Sequence, residues 1–430
     1  MNAVWRRHPA GGPTAPLLAA ILLLASTSSL RACPFCTPLA APLAERREAA
    51  AVAGLAELLE IDGQLARLKL RQLAKPSAPF EVDSVLELPA GELAIARDAK
   101  PGSLWLLLGT ERGDGGDLAA AEPQDLPSAS AALGWSAEAV NETVYGYFVR
   151  APGLRVPAAE RLQYFARYLE HAEPLIAADV YNEFGLAPLD VVAQVADQLP
   201  MDKMRGWLVD ADVPGGRKGF YGVALGLARQ ADDRTANRRL LESLVGQPVD
   251  SDETDGESGP MPGSDFRAGF DGMLGGLLLL GGAAGLEQIE RQILANPHAA
   301  EGDVRHAVTA LRFAHEFVPA IKADRLAEAL ALVLPRPGFA ATAVVDLARW
   351  QAWSVLDAVI DCYPPQRATA ADASAAAVRR AVVGYLTLCP RPAARRALEN
   401  LRGSDPTGVA AAEAAVQRDL GPAGTPSQQP

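Results

Sequence analysis

The chain has 430 residues, 49% of them hydrophobic, and its 52 acidic side chains outnumber 40 basic ones for a formal charge of −12. That length and apolar content support buried cores in roughly two or three domains and exclude a disordered or fibrous chain. The acidic balance excludes a nucleic-acid binder and sets the chain against anionic lipid surfaces.

Arg6 and Arg7 precede an apolar run over residues 17–25, and Ala25, Ser26, Thr27, Ser28 and Ser29 follow it. A basic start, an apolar middle and small residues before a cut form the plan of a secretory signal, here residues 1–32. The run is too short to span a bilayer. Leu30-Arg31-Ala32-Cys33 reads two ways: as ordinary cleavage after Ala32, or as a lipoprotein signal whose new amino-terminal Cys33 carries lipid. Both readings export the protein to the periplasm or cell envelope, and the second tethers it to a membrane. Residues 1–32 hold three Arg and no acid, so their removal takes the formal charge from −12 to −15.

The mature segment, residues 33–47, opens with Cys33-Pro34-Phe35-Cys36. Cys33 and Cys36 read as a disulfide or lipid anchor in an oxidising compartment. A redox pair normally sits where a strand runs into a helix, whereas this one precedes every predicted strand. Haem attachment needs His after Cys36, where Thr37 stands.

Residues 48–151 have the texture of strands. Phe80, Val82, Ser84, Leu86 and Leu88 alternate with Glu81, Asp83, Val85 and Glu87, the period of a half-buried strand. Further strands are expected over residues 52–61, 64–73, 93–97, 104–108 and 143–149, with turns at Asp62-Gly63, Lys75-Pro76 and Pro101-Gly102. Residues 111–134 read as a surface loop, because Gly, Asp, Pro and Ser dominate them. Cysteines at a mature start followed by such strands resemble the netrin module, an OB-type barrel shared with tissue inhibitors of metalloproteinases. The resemblance covers about a hundred residues and implies a small β-barrel. It does not imply protease inhibition, since those inhibitors carry Cys-x-Cys and this chain has Cys-x-x-Cys.

From residue 157 to 403 short helices are expected, broken at Glu173-Pro174, Ala187-Pro188, Leu199-Pro200, Asn296-Pro297, Val318-Pro319 and similar steps. Over residues 304–318, Val304, Val308, Leu311, His315 and Val318 share one helix face and His306, Ala310, Phe313 and Phe317 the opposite one. Arg305, Thr309, Arg312 and Glu316 form the remaining polar strip. A helix buried on two sides suits a stacked array. The arrangement resembles HEAT-type repeats, about six units of about 40 residues. The expected fold is therefore mostly α, an α-solenoid of HEAT-like repeats preceded by a small OB- or netrin-like β-barrel. As a whole the chain resembles a group of exported bacterial HEAT-repeat proteins with this cysteine start, a resemblance that implies architecture and no reaction.

An acidic, base-free run over residues 250–265 interrupts the helices. Read as a calcium loop from Asp250, it puts Asp252 and Thr254 at ligand positions, but Gly256 arrives one position late, so a solvated insertion is expected. Residues 404–430 read as a largely disordered tail. Cys362 and Cys389 suit either a disulfide between adjacent helices or two buried thiols. His306 and His315 point to opposite sides of one helix and cannot share a metal, and His315-Glu316 lacks the second His of a zinc-protease helix because Pro319 stands there. His171 and His298 fall at helix ends. The glycines of residues 272–285 suit close helix packing and not a phosphate loop. Trp350 and Trp353, placed on one helix, read as core before contact edge.

No residue set specifies a reaction: no catalytic, cofactor or metal residues are expected. The expected function is a non-enzymatic exported scaffold that binds an envelope protein or polymer along its helical surface. The alternative is a thiol- or metal-dependent envelope enzyme using Cys33 and Cys36.

Overall fold

A computed structural model describes residues 40–96, 98–112, 126–247, 267–336, 338–364 and 373–420. The leader, Cys33 and Cys36, and the acidic run 250–265 lie outside these residues. Among them the chain is mostly helical, with 18 α-helices and one small antiparallel sheet.

Helix α1 (Leu43–Ala49) leads into β1 (Val52–Asp62). Gly63, at φ +62°, turns the chain into β2 (Leu65–Lys75), and β3 (Val85–Pro89) and β4 (Leu104–Glu111) follow. Helix α2 (Leu126–Ala132) then precedes β5 (Leu133–Val140). The order is β3-β2-β1-β4-β5, antiparallel throughout.

The expected closed barrel is corrected: β3 and β5 remain the two edges of an open sheet. Helix α2 packs against both edge strands, so a helix covers the opening that strand pairing would have closed. Side-chain alternation divides the central strands between two cores. Val52, Ala56, Leu58 and Leu107 face a small core around Phe80 and Trp135, whose rings meet edge-on at 5.5 Å, while Ala53, Leu55, Leu106 and Leu108 face the helices.

Three strand expectations are also corrected. Residues 93 and 94 end a turn and 95 and 96 are irregular; Leu93 and Ile95 plug the small core and Ala94 takes φ +53°. Residues 143–149 belong to helix α3 (Glu142–Arg150): the Asn141 side chain accepts from the Val144 amide at 2.9 Å, and Val144, Tyr145, Tyr147 and Phe148 bury at helical spacing. The strand expected across residues 80–88 occupies only its second half. Part of the expected loop 111–134 is ordered as the end of β4 and as α2.

The helical part comprises α4 (Ala158–Phe165), α5 (Pro174–Leu186), α6 (Leu189–Gln194), α7 (Met201–Val209), α8 (Gly215–Gly226) and α9 (Ala231–Gly246). It continues with α10 (Phe270–Gly281), α11 (Ala283–Ile289), α12 (Glu301–Phe317), α13 (Ala323–Ala331) and α14 (Ala340–Arg349). The last four are α15 (Leu356–Asp361), α16 (Ala373–Leu388), α17 (Pro392–Ser404) and α18 (Pro406–Leu420). Pro174 and Pro392 occupy first-turn positions, where a missing N–H costs nothing.

Packing skips one helix at a time. Helix α8 packs on α10, α10 on α12, α14 on α16 and α16 on α18, and the Arg312 Nε to Asp346 Oδ2 bond at 2.7 Å links α12 to α14. Helices α9, α13 and α17 bridge their sequence neighbours on a second layer. Helix α12 buries two sides as its pattern requires, with Val304, Ala307 and Leu311 on one and His306, Ala310 and Phe313 on the other.

The closest contact is α8 against α10. Gly219, Gly222 and Gly226 on α8 meet Gly272 and Gly276 on α10; a Cβ on Gly272 would lie 1.9 Å from the Gly219 carbonyl oxygen, and one on Gly276 2.0 Å from that of Gly222. The backbones touch, which is the helix-packing role expected of these glycines.

The disordered tail expected from residue 404 is corrected as far as Leu420. Buried Asp405 accepts from the Gly408 amide at 3.0 Å and from the Tyr363 hydroxyl at 2.9 Å, and it pairs with Arg379 Nε at 3.2 Å, so α18 starts on a fixed cap. Val409 and Ala412 then bury against the helical core.

Candidate binding groove

The residues singled out by the sequence do not meet at one place. Cys362 and Cys389 are free thiols: Cys362 Sγ donates to the Val359 carbonyl at 3.1 Å, burial pushes its pKa up to about 11, and Cys389 is buried. His171 Nδ1 accepts from the Glu173 amide at 3.0 Å, His298 is exposed, and His306 is buried edge-on to Phe270 at 5.8 Å. Among the described residues no three His, Cys, Asp or Glu side chains are placed to hold a metal ion.

Trp350 and Trp353 are not on one helix. Helix α14 stops at Arg349, and Gln351, at φ +54°, turns the chain between them. Trp350 stacks face to face on His315 at 4.4 Å and 4°, while Trp353 meets the buried Tyr385 edge-on at 5.0 Å. Burial is the main cause that lowers the His315 pKa.

The most perturbed carboxylates form a joint between the sheet region and the helices. Asp179 on α5 accepts the Leu43 amide at 2.6 Å and the Tyr147 hydroxyl at 2.6 Å, so both oxygens are used. One turn on, Glu183 pairs with Arg161 at 2.5 Å. Burial raises the Asp179 pKa and pushes that of Glu183 up to about 7, against the opposing pull of Arg161. Arg47 adds to the same joint by donating to the Phe148, Val149 and Ala151 carbonyls at the end of α3, at 2.5, 3.2 and 2.8 Å. Every group here ties α1, α3, α4 and α5 together, so the perturbation reflects structure.

A cavity of about 710 Å³ forms an open groove between α14 and α16, with Arg312 of α12 and Val416 of α18 at its borders. Helical periodicity builds its walls. On α14, Ala340, Ala343, Val344 and Leu347 turn into the core, leaving Ala341, Val345 and Ala348 as a row at i, i+4 and i+7. On α16 the matching row is Ala377, Ala381, Gly384 and Leu388. Small side chains hold the two helices in contact below and leave space above. Val345 and Leu388 stay exposed at 39% and 54%.

Among the described residues the lining carries three guanidiniums, Arg312, Arg349 and Arg380, and one carboxylate, Asp346. Asp346 is 8% exposed and lies 2.7 Å from Arg312 and 3.9 Å from Arg349, which aligns both arginines along the wall. The neighbouring Arg379 turns inward to Asp405, whereas Arg380 stands exposed, as adjacent positions about 100° apart on a helix must. The groove is thus apolar along its floor and positive at its rim.

Sequence reading placed Arg312 on a polar strip and did not single out Arg349, Arg380 or Asp346. The available signal was the Arg379-Arg380 pair inside the otherwise apolar run of residues 375–386. Two smaller cavities differ in character: one of about 370 Å³ is lined by Arg234, Arg238, Arg239 and Glu242, and one of about 390 Å³ by Gln163, Arg167, Lys203 and Trp207. Comparison of the chain with known protein families, with curated proteins and with solved structures finds no match.

Proposed function

We propose that this chain is a non-enzymatic scaffold exported to the cell envelope, whose helices form a HEAT-like α-solenoid that binds a protein or polymer partner. The observation that carries the reading is the groove between α14 and α16, with its floor of small side chains, its exposed Val345 and Leu388 and its three arginines. Packing of α8 on α10, α10 on α12, α14 on α16 and α16 on α18 supports the solenoid, since a unit of such an array shares its core with its neighbours. Arrays of this kind present continuous surfaces for extended partners. The Arg6-Arg7 leader and Cys33 support export, with or without a lipid tether at Cys33.

Two experiments test this. A photo-crosslinking residue at Val345 is expected to capture one envelope component, and the same residue at Val209, which is 55% exposed on α7, is expected not to capture it. Equal capture from both positions contradicts the groove as the binding surface. Intact mass of the mature protein, with and without reductant and alkylation, reads out Cys33 and Cys36. A disulfide or diacylglyceryl mass agrees with the scaffold, and a rapidly alkylated free pair favours a thiol enzyme instead.

A further inference from the structure

We infer that the groove between α14 and α16 takes an extended acidic peptide, with carboxylates against Arg349 and Arg380 and aliphatic side chains on its floor. This rests on the proposed use of the groove as the binding surface.

Charge supplies the first argument. Among the described residues the lining carries three guanidiniums and one carboxylate, in a chain whose formal charge is −12. Asp346 is consumed in aligning Arg312 and Arg349. Arg349, with its side chain 75% exposed, and the exposed Arg380 face outward from opposite walls. Guanidiniums in a planar fork bind carboxylates bidentately. The acidic remainder of the molecule repels a partner carrying dense negative charge along its whole length. A partner with a few carboxylates, placed at the groove, gains the attraction and avoids most of that repulsion.

Shape supplies the second. Helix α14 has 10 residues, which at the rise of an α-helix is about 15 Å. An extended chain covers about 3.3 Å per residue, so about four or five residues lie along the groove. A wall of Ala341, Ala348, Ala381 and Gly384 permits close backbone approach, and Val345 and Leu388 offer apolar surface that only an apolar partner group would cover. Alternation in an extended peptide points one set of side chains down to this floor and the other out to the arginines. A nucleic acid or sulfated polysaccharide meets the charge and leaves the aliphatic surface wet.

The test uses the full mature chain and a fluorescein-labelled twelve-residue peptide of alternating Glu and Val, read by anisotropy. Saturable binding is expected, together with no binding of the peptide in which Lys replaces Glu and no displacement by heparin at equal charge. Arg349→Glu with Arg380→Glu is expected to raise Kd at least tenfold while leaving the circular dichroism spectrum unchanged. No binding of the Glu peptide, equal binding of the Lys peptide, displacement by heparin, or a Kd untouched by the double reversal each overturns the inference. Gly384→Met separates this from the reading beneath it, because it fills the groove without altering charge; a Cβ at this position meets only Val416 Cγ2 at 3.6 Å. If Gly384→Met abolishes capture from Val345 while charge reversal does not, the acidic class fails and the groove stands. If neither variant alters capture, the groove itself fails.

Discussion

Two helix pairs in the helical region are both built on small residues and end differently. Helices α8 and α10 meet through glycines whose carbonyls and α-carbons touch, and nothing can enter between them. Helices α14 and α16 meet through alanines and Gly384, and a groove of about 710 Å³ opens above the contact. The difference lies in what flanks the small row. Around the glycines the flanking residues are core, such as Phe220, Leu274 and Leu277, all buried at 1% or less. Around the alanines they are arginines and exposed aliphatics. Small residues set how near two helices come, and their neighbours decide whether the remaining space is a seam or a site.

Substitution at the seam breaks the comparison most sharply. Gly272→Ala drives a Cβ to 1.9 Å of the Gly219 carbonyl oxygen, so the helices must part, and thermal unfolding is expected to show a loss of about 3 kcal/mol or more. The same change in the groove, Gly384→Ala, finds ordinary contact at 3.6 Å and gains helix propensity, so stability is expected to hold or rise by about 0.5 kcal/mol. A like cost at both positions would contradict the distinction.

The joint at Asp179 and Glu183 sharpens it by pH. A folded pKa of about 7 for Glu183 lies above its ordinary 4.5, so the folded state holds the extra proton between those values. Stability therefore falls as pH rises from about 4.5 to 7, by on the order of 3 kcal/mol, and the full cost persists above that. Asp179 acts in the same direction. Glu183→Gln is expected to flatten the decline of Tm between pH 5 and 7. The joint shares no residue with the groove, so peptide affinity is expected to stay level from pH 5.5 to 8 while stability changes. Smallest of all, Arg349→Ala is expected to move stability by less than about 0.5 kcal/mol, as an exposed side chain 3.9 Å from its partner should.

Legibility in the sequence followed side-chain size. Strands β1 and β4 announced themselves through apolar runs, β2 through apolar residues interleaved with Arg67, Lys69 and Arg71, and α12 through two apolar faces. Residues 143–149 read as a strand because Thr143, Tyr145, Tyr147 and Val149 alternate, yet Asn141 was the better signal: a cap followed by Val144, Tyr145, Tyr147 and Phe148 at helical spacing. Strand β5 was concealed by Gly134 and Ser136 within a polar stretch, and α18 by its alanines, which carry little hydrophobic contrast. The glycine spacing of residues 272–285 was legible because close approach has few other uses for it. The groove was not. Its residues come from 312, 341–349, 377–388 and 416, and periodicity marks the large buried faces of α14 and α16 while leaving their small faces unmarked. Cys33 and Cys36, the most distinctive feature of the sequence, precede the described residues, so their chemistry rests on the mass measurement above.

Hydrogen exchange of the full mature chain, with and without the Glu and Val peptide, tests the central claim most directly. Binding in the groove predicts slowed exchange confined to α14 and α16, residues 340–349 and 373–388, with α8, α9 and α10 unchanged. Protection centred instead on Arg234, Arg238 and Arg239 of α9, or spread evenly over the helices, would contradict it.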